Sequence, residues 1–431
     1  MAVGPRTVEN LVTIAMTDHA PLCRHCHTPL MLVMADLGKT PIANDYLDAE
    51  ALTKPEPTYP LRAFVCGACR LVQLEDFVQP GDVFAPHYAY QSSMSDSWLA
   101  HARAYANQMV VNLHLGPLSH IVEIASNDGY LLQYFKAAGI PVTGIEPASH
   151  VAHIAREQRG VPTLETFFGE AEAKKLRVSI GAADLMVANN VLAHVPKIND
   201  FVAGFRELLK PNGIATFEFP HLLNLLELCQ FDTIYHEHFS YLSLKALEPI
   251  FAMAGLRVFD GEALPTHGGS LRLYVSHINA GFEETQSLKA IRAKELSAGL
   301  DTDAPYLAFA AKVARIKQEL LALLHELKAK GKTIAAYGAP AKGNTLLNFC
   351  GIGRELIDFT VDRAPSKQGK YLPGSHIPIL SPTVITERKP DYILLLPWNL
   401  KTEITAEFAF IREWGGRFII PIPMPAILEW P

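Results

Sequence analysis

Long apolar runs are missing from this sequence. None approaches the ~20 residues needed to cross a bilayer. The opening residues, MAVGPRTVENLVTIAMTDHA, also lack the basic start and extended apolar stretch of a secretory signal. A cytoplasmic protein is expected. Charge is modest, with 19% of residues charged and a net charge of −6, so there is no general attraction to nucleic acid or to anionic membranes. Cysteine is scarce, at six in 431 residues. What is abundant is apolar side chain, 49% of the chain, enough for packed cores and too much for disorder. The length suits two to four domains.

Four of the six cysteines form two pairs, Cys23-Arg-His-Cys26 and Cys66-Gly-Ala-Cys69. In a reducing compartment, two Cys-x-x-Cys knuckles suit tetrahedral zinc better than disulfides. Four thiolates close the site and leave no position for substrate, so the zinc is expected to be structural. Residues 1–85 read as an irregular, proline-punctuated module stapled by this metal.

An aromatic and polar stretch, APHYAYQSSMSDSW, leads into a helix over 98–113. From about 118 the pattern alternates. SHIVEIA, VTGIEP, ADLMVANNVL and GIATFEFP read as strands, separated by helical segments that end at Gly139, at Gly160 and at a Pro-Asn-Gly turn. Such alternation predicts a parallel sheet covered by helices. Residues 283–330 are helical, with Val313, Ile316, Leu320, Leu323, Leu324 and Leu327 at helical spacing. A second strand–loop–helix run follows, from KTIAAYGAPAKGNTLLNF to RFIIPIP. The division expected is 1–85, 86–282, 283–330 as a helical connector, and 331–431.

The loop after the first strand of the central unit reads Glu123-Ile-Ala-Ser-Asn127-Asp128-Gly129. Ligands of open α/β sheets bind at the carboxyl ends of strands, where glycines let backbone approach them. Ala125, Asn127 and Gly129 fill the three glycine positions of a nucleotide loop. This suits S-adenosylmethionine, which has an ammonium and hydroxyls but no phosphate. Glu146 ends the next strand, where a carboxylate accepts ribose hydroxyls. Asn189 and Asn190 end a further strand beside the same site.

Residues 232–241, DTIYHEHFSY, crowd two histidines, a glutamate and two tyrosines. Metal binding, proton transfer and core packing all fit such a run. No third ligand stands at fixed spacing, and His-Glu-x-x-His is absent. In the last unit Gly338-Ala-Pro-Ala-Lys342-Gly343-Asn344 enters a helix from a strand. Its amides and Lys342 fit a diphosphate, and a simple packing turn fits equally well.

Taken in order, the two cysteine pairs, EIASNDGYLL, ANNVLAHV, YHEHFSYLS, THGGSLR, YGAPAKGNTLLNFCGI and KQGKYLPGSHIPI resemble the S-adenosylmethionine-dependent sugar C-methyltransferases of deoxysugar pathways, of the TDP-4-keto-6-deoxysugar 3-C-methyltransferase type. The resemblance covers nearly the whole chain. It implies an α/β protein with an N-terminal zinc-binding module, a central Rossmann-like class I methyltransferase domain and a C-terminal Rossmann-like domain. Ala125 departs from the family, which often has glycine there.

The resemblance also implies methyl transfer to carbon 3 of a nucleotide-linked 4-keto-6-deoxysugar through an enolate. A monomer or small homo-oligomer is expected, with neither nucleic acid nor membrane as partner. His238 is then the general base, with Glu237 and Tyr235 beside it and His194 facing the same pocket. Glu123, Asn127, Asp128, Gly129, Glu146, Asn189 and Asn190 hold the cofactor. Tyr88 or Tyr90 closes the pocket from the N-terminal side. His267, Lys342, Gly343 and Asn344 are substrate-side candidates, and His236 is structural. The competing activities are methylation at carbon 5 or at a hydroxyl, and a zinc-containing nucleic-acid methyltransferase. The last usually carries Asp/Asn-Pro-Pro-Tyr where this chain has Asn-Asn-Val.

Overall fold

A computed structural model describes residues 20–77 and 91–430. Tyr88 and Tyr90 lie outside the described residues. The N-terminal module is more regular than its prolines imply. Strands β1 (Leu32–Thr40), β2 (Tyr59–Val65) and β3 (Val72–Leu74) form an antiparallel sheet. Two register shifts in β1, between Val33 and Ala35 and between Asp36 and Lys39, break its alternation. A strict period-2 pattern is therefore not visible in the sequence.

Helix α1 (Asp96–Asn112) opens the central unit. It is followed by β4 (Ile121–Ile124), α2 (Leu132–Ala137), β5 (Val142–Ile145), α3 (Ser149–Arg159), β6 (Thr163–Leu164), α4 (Glu170–Ile180), β7 (Ala183–Asn189), α5 (Ile198–Leu208) and β8 (Leu209–Pro220). Beyond these come α6 (Leu222–Glu227), β9 (Ser240–Tyr241), α7 (Leu244–Met253), β10 (Leu256–Leu264) and β11 (Ser270–His277).

The seven-stranded sheet has the order β10-β11-β8-β7-β4-β5-β6, parallel except for β11, which runs antiparallel to both its neighbours. β4 is buried along its whole length, as both-face burial requires of a central parallel strand. The connections leave β4 in opposite directions to β5 and β7, so the ligand crevice of such a sheet opens where these strands end. Pro211-Asn212-Gly213, expected as a turn ahead of the strand, is part of β8. The pairing jumps from Ala183–Leu209 to Leu185–Ile214, and the extra residues bulge out.

Helices α8 (Gln286–Ser297) and α9 (Ala304–Ala329) span the helical region. Of the residues at helical spacing in α9, all but Leu323 are buried, and Leu323 packs at the core's edge. The last sheet comprises β12 (Ile334–Tyr337), then β13 (Thr360–Val361) and β14 (Ile379–Leu380) on one side, and β15 (Tyr392–Leu395), β16 (Arg417–Ile420) and the antiparallel β17 (Ala426–Ile427) on the other. Helix α10 (Ala341–Cys350) follows β12.

Two features of this arrangement position the site. β9 pairs with β3, so a two-residue strand from within DTIYHEHFSY completes the N-terminal sheet. That sheet also lies between two cores. Ala63 and Val65 face a core shared with α9 and the last sheet, whereas Phe64 and Cys66 face the core of the central unit. Successive side chains of β2 thus tie the module to both neighbours.

Candidate active site and zinc centre

The four cysteines converge. Their Sγ atoms lie within 4.8 Å of one another, with Cys23–Cys69 at 3.6 Å, Cys26–Cys66 at 3.4 Å and Cys26–Cys69 at 3.7 Å. A disulfide requires ~2.05 Å, while the edge of a zinc tetrahedron with bonds of ~2.3 Å is ~3.8 Å. The donor set fits zinc. Each knuckle closes with the same hydrogen bond, from His27 N to Cys23 O and from Arg70 N to Cys66 O, with φ of 60° and 64° at the donor residue. Gln73 Nε2 donates to Cys23 Sγ at 3.2 Å. Among the described residues, no other group of His, Cys, Asp and Glu brings three ligand atoms together in this way.

At the carboxyl ends of β4 and β7 the loop 123–129 turns sharply. Ala125, Asn127 and Gly129 have φ of 56°, 48° and 77°. All three glycine positions of the motif are therefore left-handed, although glycine occupies only the last. A Cβ at Gly129 would also stand 3.2 Å from Val161 Cγ2.

Buried acceptors gather here without partners: both carboxylate oxygens of Glu123, Asp128 Oδ1, Asn189 Oδ1 and Asn190 Oδ1. Buried polar groups are normally satisfied, so this cluster fits a ligand with several donors, such as the ammonium and ribose hydroxyls of S-adenosylmethionine. Burial pushes the Glu123 carboxyl well above the usual carboxylate range, against the nearby Tyr130 hydroxyl. Glu146 is pinned by the amides of Asn127 at 2.9 Å and Ala148 at 2.8 Å, and burial pushes its pKa up to about 7. Residues 92–93 lie over the loop, Ser92 N donating to Asn127 Oδ1 and Ser93 Oγ to Asp128 Oδ2.

The histidines of DTIYHEHFSY point in opposite directions. His236 Nε2 reaches Pro60 O at 3.1 Å and its ring packs edge-on to Tyr59, which ties it to β2. His238 Nδ1 lies 2.8 Å from Thr233 O. Its ring lies against Tyr235, with centroids 3.9 Å apart, and against His194 at 4.7 Å. His194 Nδ1 is in turn 2.8 Å from the main-chain carbonyl of Glu237. Carbonyls only accept, so both Nδ1 atoms carry the proton and both Nε2 atoms carry lone pairs. Burial pushes His194 down to about 4, and burial with the neighbouring His194 holds His238 well below the usual imidazole value.

Glu237 meets the His194 ring through its main-chain carbonyl. Its carboxylate faces the N-terminal module, both oxygens accepting from Asn44 Nδ2 at 2.7 and 2.9 Å, and burial pushes it up to about 7.

His267, at φ 54°, packs edge-on to Trp98 with centroids 5.0 Å apart and is close enough for its charge to act on His238. Lys342 stands over the Trp398 ring at 4.7 Å and bonds to Asn399; burial pushes it down to about 8, against the attraction of Asp232. Asp232 is fully buried, accepts from Trp398 Nε1 at 2.6 Å and keeps Oδ1 unpartnered. Gly343 packs on Leu396, and Asn344 Nδ2 donates to Ala43 O at 2.6 Å. Gly343 thus serves packing within the last unit, and Asn344 the contact with the N-terminal module.

The structure thus brings His194, Tyr235, His238, His267 and Lys342 to one place and the acceptors of β4 and β7 to another beside it. Sequence reasoning missed Asn44, 193 residues from Glu237 and without a local signal. It also missed Trp98, which stacks on His101 and reaches Tyr130 and His267. The crowding of aromatics ahead of α1 was the available clue.

Three family models match: a zinc binding domain over 23–84, a methyltransferase domain over 99–260 and a C-methyltransferase C-terminal domain over 265–423. C-methyltransferase NovU of Streptomyces niveus is 38% identical over 407 residues, which is 94% of this chain and 96% of that protein. Among solved structures, a magnesium protoporphyrin IX methyltransferase of Synechocystis with bound S-adenosylhomocysteine is 14% identical with a TM-score of 0.34, covering 42% of this chain and 83% of its own. A methyltransferase of Clostridium acetobutylicum is 8% identical with a TM-score of 0.33, covering 42% and 92%.

Proposed function

This chain belongs to the S-adenosylmethionine-dependent sugar C-methyltransferases, and from that premise we propose that it methylates carbon 3 of a nucleotide-linked 4-keto-6-deoxysugar, with His238 as the base. The observation that carries this reading is the His238 ring, tied at Nδ1 to Thr233 O and bearing its lone pair on Nε2 between Tyr235 and His194.

Carbon 3 becomes nucleophilic only after losing a proton, which the adjacent C4 carbonyl makes acidic. His238 Nε2 takes that proton. Because burial keeps the imidazole neutral at physiological pH, it is always in the form that accepts one. A base of depressed pKa is weak, so the developing C4 oxyanion needs donors nearby. Tyr235, whose ring lies against His238, supplies a hydroxyl, and the buried Lys342 a cation. Lys342 also suits the substrate's diphosphate.

Glu123, Asn127, Asp128, Glu146, Asn189 and Asn190 hold the cofactor. Gly129 lets the loop turn beneath it, and when bound the cofactor supplies an electrophilic methyl on a sulfonium. The cytoplasmic location follows from the same reading.

The test is isotope exchange. Incubated with a TDP-4-keto-6-deoxysugar in deuterated water without cofactor, the enzyme is expected to exchange the C3 hydrogen. Exchange at C5 alone would move the methylation to that carbon. No exchange, with methylation of a hydroxyl once cofactor is added, would make the protein an O-methyltransferase.

A further inference from the structure

The two residues inside the first cysteine knuckle, Arg24 and His25, have no place in the chemistry above, yet both are buried and heavily bonded. The Arg24 side chain is 7% exposed. Its Nε donates to Gln73 Oε1 at 3.2 Å, and its terminal nitrogens to Leu74 O at 2.7 Å, Asp76 at 2.9 Å and Pro196 O at 3.4 Å. Its guanidinium also lies over the Phe239 ring, 5.4 Å from the centroid. His25 Nδ1 donates to Asn199 Oδ1 at 2.8 Å, and Asn199 Nδ2 returns a bond to His25 O at 2.9 Å.

Gln73, Leu74 and Asp76 belong to the module itself; the other partners, Pro196, Asn199 and Phe239, fall on two short segments. Pro196 lies two residues after His194, and Asn199 in the first turn of α5. Phe239, Ser240 and Tyr241 directly follow His238, and they are held by Leu74 N to Phe239 O at 3.1 Å and by the pairing of Gln73 with Ser240 and Val72 with Tyr241. Gln73 closes the circuit by donating to Cys23 Sγ.

We propose that the first knuckle is a positioning device. Arg24 and His25, held rigid by the metal-bound turn, clamp the segments carrying His194 and His238 together and so fix the contact between the two rings. Neither residue touches substrate; both act through the histidines. The assignment of His238 as base rests on the proposed function, but the clamp itself is a claim about the chain.

Asn199→Ala removes the His25 contact from outside the knuckle, and Arg24→Met removes the guanidinium while keeping all four thiolates. Zinc content, cofactor affinity, C3 exchange in deuterated water and amide hydrogen exchange by mass spectrometry are measured on full-length protein. Both variants are expected to retain one zinc per chain and wild-type cofactor affinity. C3 exchange should slow by ~10–100-fold, the upper end being what a 1 Å misplacement of reacting groups costs. Amide exchange should accelerate in peptides spanning 192–200 and 237–243 but not in β4, and Arg24→Lys should restore part of the rate.

Unchanged amide protection and wild-type C3 exchange in zinc-loaded variants would overturn the proposal. If Arg24→Met does not fold, Asn199→Ala decides. Absence of C3 exchange in the wild-type enzyme would refute the base assignment alone, and amide protection would still judge the clamp.

Discussion

Thr233 O can only accept a hydrogen bond, and this one atom fixes which nitrogen of His238 is left basic. Replacing His238 with Asn keeps a donor near Thr233 O but removes the lone pair. Turnover is expected to fall by ~10²–10⁴-fold with little change in cofactor affinity by calorimetry; an active variant would shift the role to His194. The pH profile has a definite sign. In the proposed mechanism the neutral imidazole is the active form, and burial holds its pKa well below 6.5, so C3 exchange should stay level through pH 6.5 and decline only in more acid solution. Ala125 carries a different constraint. At φ 56° it occupies a region costing an L-residue ~1–2 kcal/mol, partly offset because glycine loses more freedom on folding. Ala125→Gly should leave stability unchanged or raise it by up to ~1 kcal/mol, whereas the β-branched Ala125→Val should lower it by more than ~1 kcal/mol in urea unfolding.

Helix α7 starts immediately after the histidine-bearing segment, and its N-terminus is capped twice. Ser243 Oγ accepts from Ala246 N, while the buried Glu295 carboxylate of α8 accepts from Leu244 N and Lys245 N at 2.7 and 2.8 Å. The same carboxylate bonds His221 Nε2 at 2.7 Å, at the end of β8. Glu295→Ala would leave two buried donors, Leu244 N and His221 Nε2, without a partner, each costing ~1–3 kcal/mol, and would free the half-buried Lys245 N as well. A loss of at least ~2 kcal/mol is expected, against ~1 kcal/mol for Ser243→Ala, both measured by chemical denaturation. A loss for Glu295→Ala no larger than that for Ser243→Ala would mean that the helix end is satisfied from elsewhere.

Across the whole molecule, residues 232–241 are where three units meet. The N-terminal module takes them through β9, Pro60 and Asn44; the central unit through His194; and the last unit through Trp398 and Thr345 Oγ1, which donates to Ile234 O at 3.0 Å. Asp232 tests that junction. Burial raises its pKa from 3.8 to about 6, with the Trp398 bond acting against the rise. The stability Asp232 contributes is therefore greatest below pH 3.8 and declines as pH climbs through about 6. Trp398→Phe removes the opposing donor and pushes the carboxyl higher still. The variant should be less stable by ~1–3 kcal/mol at pH 8, with a smaller deficit at pH 5, where both proteins hold the carboxyl largely protonated. An equal deficit at both values would mean that the indole contributes packing alone.

Sequence by itself determined what depends on neighbours along the chain. The two Cys-x-x-Cys turns, the alternation of strands and helices, the acidic ends of β4 and β5, and the crowding of histidines, glutamate and tyrosines in 232–241 are local patterns with local causes. Which histidine of Tyr-His-Glu-His points where was not local. His236 and His238 differ because Pro60 and Thr233 offer them carbonyls on opposite sides, and Glu237 turns to Asn44 across 193 residues. The bulged β1 hid the N-terminal sheet because register shifts erase the period on which strand recognition relies. Tertiary structure alone decided that the metal-bound module forms a wall beside the histidines, since that follows from a two-residue strand whose pairing partner lies far back in the chain.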